Sequence, residues 1–132
     1  MIQAQLNETN YSTMISAMLE QLDSCIQLDD MQKYTVQLVL WELVSNVIRH
    51  STKKDANVYI SWSDETIVIE VIDQGDGFEW EKQLNNLPPH FTQQEGGRGL
   101  FLIQQLASHF SFDEKGTRAI VMIARKKGEK YD

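Results

Sequence analysis

QLVLWELVSNVIRHS, residues 37–51, reads as one helix with two distinct faces. With Val36 just ahead of it, the residues Val36, Leu40, Leu43, Val44 and Val47 recur at i, i+4, i+7, i+8 and i+11, the spacing of an apolar stripe directed at a core. Glu42, Asn46 and His50 follow one another at intervals of four, so a carboxylate, a carboxamide and an imidazole stack along one adjoining edge. The pattern predicts that Glu42 and Asn46 sit at the rim of the core. Taken alone, such residues describe the solvated flank of an amphipathic helix. Two stretches downstream change their meaning.

Working outward, Asp29 followed three residues on by Gln32 forms a capping-box pattern that predicts where this helix starts. Before it, Tyr11, Met14, Ile15, Met18 and Leu22 predict a first amphipathic helix ending near Ser24, and residues 1–6 a short strand. After Lys53-Lys54-Asp55 the apolar period falls to two. Val58, Ile60 and Trp62, a turn at Ser63-Asp64-Glu65, and Ile67, Ile69 and Val71 predict a hairpin. Carrying the alternation forward places Asp73 on the apolar side that receives the helices, with its carboxylate pointing inward.

Residues 76–96 hold no sustained period and contain Asn85-Asn86 and Pro88-Pro89; a loop of that length in a small domain reads as a functional lid. Gly96, Gly97 and Gly99 then open a third helix carrying Phe101, Leu102, Ile103, Leu106 and Phe110. A second hairpin follows, residues 110–114 and 117–125 about a turn at Lys115-Gly116. Helices on one face of a mostly antiparallel sheet make a two-layer α+β sandwich. The 132 residues are expected to form a single domain.

Charge and composition narrow the function classes. Twelve Lys and Arg against nineteen Asp and Glu give a net charge of −7, a surface that repels phosphate backbones and argues against nucleic acid as a partner. Cys25 is the lone cysteine, which excludes an internal disulfide and any thiolate-built metal site. No run approaches a membrane span, and residues 1–10 lack the pattern of a secretory signal, so the expected compartment is the cytoplasm and no membrane is expected as a partner.

Asp73 opens the run Asp-Gln-Gly-Asp-Gly. A buried carboxylate is costly unless paired, and the amino group of an adenine is a suitable donor to satisfy it. Gly75 and Gly77 let the backbone approach a flat base without an intervening Cβ. Gly97-Arg98-Gly99-Leu100 precedes a helix, where backbone amides favour anions, yet neither the P-loop nor the dinucleotide pattern is matched.

Taken in this order, Glu42-Leu43-Val44-Ser45-Asn46 with His50-Ser51, Asp73-x-Gly75-x-Gly77, Gly97-x-Gly99-Leu100 with Ile103, and Gly116-Thr117 resemble the motif series of the GHKL ATPase superfamily. That superfamily includes gyrase, heat-shock chaperones, histidine kinases and MutL. Within it the chain is most similar to the anti-sigma-factor serine kinases, over roughly residues 30–125.

The resemblance implies ATP and Mg²⁺ as cofactors. Glu42 would be the general base, Asn46 the Mg²⁺ ligand, Asp73 the adenine reader and Thr117 its support. His50, Gly75, Gly77, Gly97, Arg98, Gly99 and Leu100 would complete the nucleotide pocket and its lid. The partners it implies are a small STAS-type anti-sigma antagonist, phosphorylated on serine or threonine, and a sigma factor held inactive; it leaves a homodimer open. One departure stands out. Some relatives place an arginine just before the lid glycines, where this chain has Glu95 and Gly96, and Arg98 would have to substitute. The alternatives are an ATP-dependent binding switch that transfers no phosphate and a related kinase controlling a phosphatase.

Overall fold

The computed structural model describes residues 1–75 and 97–125, with the side chains of Gly97 and Arg98 excepted. The lid read at 76–96, with Gly77 in it, therefore lies outside the described residues. Strand β1 (Ile2–Asn7) leads into helix α1 (Tyr11–Ile26) and helix α2 (Asp30–His50). Strands β2 (Asp55–Trp62) and β3 (Thr66–Asp73) form the first hairpin. Helix α3 (Gly97–Leu106) precedes β4 (His109–Phe112) and β5 (Arg118–Ala124).

Local chemistry sets each boundary. Asn7 and Asn10 turn β1 into α1 by a reciprocal exchange: Asn7 N–H donates to Asn10 Oδ1 at 2.8 Å and Asn10 N–H donates to Asn7 Oδ1 at 3.0 Å. Helix α1 ends where Gln27 takes up a φ of 58° and donates its N–H to the carbonyl of Asp23 at 2.8 Å. Two residues later α2 begins with the capping box expected from Asp29 and Gln32. Gln32 N–H reaches Asp29 Oδ1 at 2.7 Å, and Asp29 N–H reaches Gln32 Oε1 at 3.0 Å.

The described strands form one antiparallel sheet in the order β1-β2-β3-β5-β4. Burial in β3 alternates without a break from Ile67 through Ile69 and Val71 to Asp73, and in β5 through Ala119, Val121 and Ile123. Helix α2 packs across β2, β3 and β5 on that apolar face, flanked by α1 and α3. The stripe Val36, Leu40, Leu43, Val44 and Val47 is buried as its spacing required. On the opposite face Tyr59, Val68, Ile72 and the Glu70–Arg118 ion pair line a shallow cavity of about 320 Å³.

Two sequence expectations change. Phe110 belongs to β4, because α3 ends at Leu106 and Ser108 N–H turns to the carbonyl of Met122 at 2.8 Å, opening the strand pair. Asn46, expected at the rim of the core, is only 1% exposed and so fully buried. The architecture is the expected α+β sandwich, an open sheet carrying three helices among the described residues.

Candidate functional site

The strand alternation that buries Ile67, Ile69 and Val71 also delivers Asp73 to the helix side of the sheet, at 5% exposure. Its backbone is pinned from two directions. Asp73 N–H donates to the carbonyl of Thr117 at 2.7 Å, and Gln74 N–H donates to the carbonyl of Asp55 at 3.3 Å. Its Oδ1 accepts the Ser51 hydroxyl at 2.6 Å and the Gly75 N–H at 2.7 Å, whereas Oδ2 is buried with no hydrogen-bond partner among the described residues. An acceptor-only oxygen left in this condition costs free energy unless a donor arrives.

Ser51 stands directly after α2 as its C-cap, N–H donating to the carbonyl of Val47 at 2.9 Å. Its hydroxyl ties the end of α2 to the end of β3, two elements separated by 22 residues of chain. In the sequence Ser51 stands in the His50-Ser51 motif with no role evident. The signal was present in residue type, a hydroxyl past a helix end, but its partner depends on the sheet register.

Asn46 lies one turn before the helix end, and its Oδ1 accepts the Arg49 Nη2 donor at 2.7 Å. Among the described residues its Nδ2 is buried without a partner, as is the Ser45 hydroxyl beside it. Glu42, one turn earlier, is half-buried against the first turn of α3. A Cβ added to Gly99 would stand 1.8 Å from Glu42 Oε1 and 2.2 Å from its carboxyl carbon. Gly99 is thus the position that lets α3 close onto the carboxylate. The start of a helix is also where a negative charge is stabilised by the unpaired amides.

Gly75 makes the second close approach. A Cβ there would fall 2.5 Å from Ser51 Oγ and 2.8 Å from Thr52 Oγ1. Leu100 is fully buried in the core behind α3. Thr117 adjoins Asp73 through its carbonyl, while its hydroxyl donates to Asp113 Oδ2 at 2.7 Å. His50 ends α2 on the exposed side; burial, then the charges of Arg49 and Lys54, hold its imidazole below the ordinary value, so it is neutral at pH 7. Gly97 opens α3, Gly77 lies outside the described residues, and of Arg98 only the backbone is described.

The arrangement fits an adenine nucleotide at one end and a hard cation at the other. Asp73 Oδ2 offers a buried acceptor to an amino group. Asn46 offers a carbonyl oxygen on the same side of the sheet, where it now holds the guanidinium of Arg49, an exposed side chain able to leave. Among the described residues no group of three or more His, Cys, Asp or Glu side chains forms a metal cage. Mg²⁺ takes few protein ligands and keeps most of its shell as water and phosphate oxygens.

Comparison with known proteins shows the family. The family model for the histidine kinase-like ATPase domain matches residues 4–124. The chain is 30% identical over 104 residues to the serine-protein kinase RsbW of Staphylococcus epidermidis, a match covering 70% of this chain and 65% of that protein. It is 31% identical over 81 residues to the serine-protein kinase RsbW of Staphylococcus aureus, covering 53% and 51% respectively. The chain thus spans less than two thirds of the length of these curated relatives. With a buried, half-satisfied aspartate at the end of β3, an asparagine and a glutamate aligned on α2, and a family match over nearly the whole chain, this protein belongs to the histidine kinase-like ATPase domain family.

Proposed function

We propose that the chain is an ATP- and Mg²⁺-dependent serine/threonine protein kinase of the anti-sigma type. Its substrate would be a serine or threonine of a small STAS-type anti-sigma antagonist, and when not engaged with that antagonist it would hold a sigma factor inactive. The observation that carries the reading is Oδ2 of Asp73, unpartnered among the described residues and buried where the ends of β3 and α2 meet. The relatives named serine-protein kinase add the direction of transfer. A cytoplasmic location and one domain with residues 76–96 as its lid belong to the same reading. No helix among the described residues is long and apolar enough to cross a membrane.

In this reading each residue has one task. Asp73 accepts the adenine amino group, and Thr117 supports it by fixing the Asp73 backbone. Asn46 would ligate Mg²⁺ through its side-chain oxygen, and bound Mg²⁺ would supply positive charge to the phosphate oxygens. Glu42 accepts the proton of the acceptor hydroxyl as its oxygen bonds to the γ-phosphorus and ADP leaves with the former bridging oxygen. Gly99 permits α3 to lie against Glu42, so that base and phosphate-binding turn share one wall.

Incubation with γ-labelled ATP, Mg²⁺ and the antagonist protein tests the proposal. Label should appear on serine or threonine, and Glu42→Ala should lower transfer by roughly 10²-fold while ATP affinity changes only a few fold. A second reading, an ATP-dependent binding switch without transfer, is favoured by the acidic balance of the lid segment, where Glu79, Glu81 and Glu95 face a lone Lys82 in the sequence. An unlabelled antagonist held in a tight ATP-dependent complex would select the switch.

A further inference from the structure

We propose that Ser51 is a positioning residue that makes the Asp73 site selective for a base bearing an exocyclic amino group; this rests on the nucleotide-binding reading above. Ser51 is 4% exposed, and its oxygen has three neighbours. It donates to Asp73 Oδ1 at 2.6 Å and accepts the backbone N–H groups of Lys53 at 3.1 Å and Lys54 at 3.4 Å. A hydroxyl has one proton and two lone pairs. With amides directed at the lone pairs, the proton is committed to Asp73.

The turn that delivers those amides is itself fastened to α2. Lys54 has a φ of 55°, and its Nζ donates to the carbonyl of Ile48 at 2.9 Å. Direction is therefore imposed on the Ser51 hydroxyl by the backbone and passed on to the carboxylate. Oδ1 already has two donors, Ser51 Oγ–H and Gly75 N–H, so the carboxyl plane is fixed. Among the described residues nothing donates to Oδ2, which is left as the open acceptor of a 5% exposed side chain.

An acceptor-only oxygen pairs with the amino group of adenine and opposes the keto oxygen that hypoxanthine carries at the same place. Remove the Ser51 hydroxyl and Oδ1 keeps only the Gly75 N–H. The carboxyl group can then turn, and its second oxygen is no longer held against the keto oxygen. The expected phenotype is relaxed base discrimination, which differs from the uniform weakening that a merely structural residue would give.

The test is calorimetric titration of ATP and of inosine triphosphate into the full chain, its Ser51→Ala variant and Asp73→Asn. Wild type should favour ATP, and Ser51→Ala should lower the ratio of ATP to inosine triphosphate affinity by about tenfold, the value of one hydrogen bond to a charged group. Ser51→Cys, a weak donor of similar size, should give an intermediate ratio and carries the same measurement if Ser51→Ala does not fold. An unchanged ratio, or a wild type that does not discriminate, overturns the role of Ser51 and leaves ATP binding standing. A wild type that binds neither nucleotide, or Asp73→Asn binding ATP as wild type does, overturns both.

Discussion

Asn46 shows how far a single residue could be read from its spacing. The interval of four from Glu42 placed it on the correct edge of α2, but the apolar stripe alone could not reveal that it is 1% exposed. Asp73 was more legible, because strand alternation has only two faces and its neighbours Ile69 and Val71 had already chosen one. Ser51 was the least legible of the three, since its meaning is a contact across 22 residues. Asn46 also carries a prediction. Its Nδ2 has no partner among the described residues, so Asn46→Ala should leave the fold largely intact. The same change should lower Mg²⁺-ATP affinity by about tenfold while affecting metal-free ATP much less. Equal losses with and without Mg²⁺, measured by titration, would make Asn46 a structural residue.

At the scale of elements, boundaries were readable wherever a side chain bonds locally. The Asp29 and Gln32 capping box marked the start of α2, and its hydrogen bonds are formed. Asp29→Ala removes one of them and should cost about 1 kcal/mol of stability, detectable as a lower denaturant midpoint with an unchanged slope. The end of α3 was not readable in this way. Phe110 continues the apolar spacing of the helix, yet the chain leaves the helix at Leu106 to pair β4 with β5. The meeting of α2 with α3 gives a second prediction. In Gly99→Ala the new methyl would occupy the space of the Glu42 carboxylate, a flexible group that can shift away. The helix gains propensity from the exchange, so folding should survive. Phosphoryl transfer should fall by roughly tenfold or more through misplacement of the base, with ATP affinity altered less. Normal transfer by a folded Gly99→Ala would separate Glu42 from the chemistry.

Across the whole molecule, the class of fold was legible because helix and strand periods follow one another cleanly along the chain. The strand order was not. Insertion of β5 between β3 and β4 follows from where the last hairpin docks, and that docking brings the Thr117 carbonyl to the Asp73 amide. The sheet order thus completes the site. It joins a β3 end shaped by β5 to an α2 end shaped by its own cap, and the account depends on nucleotide binding at that junction. Calorimetric titration of Mg²⁺-ATP into the wild-type chain and Asp73→Asn tests this most directly. The amide exchange keeps the size of the side chain but replaces one acceptor oxygen by a donor. Affinity should fall by roughly a hundredfold or more, with the fold little changed. Equal affinity in the two proteins would remove Asp73 from the nucleotide site and contradict the account.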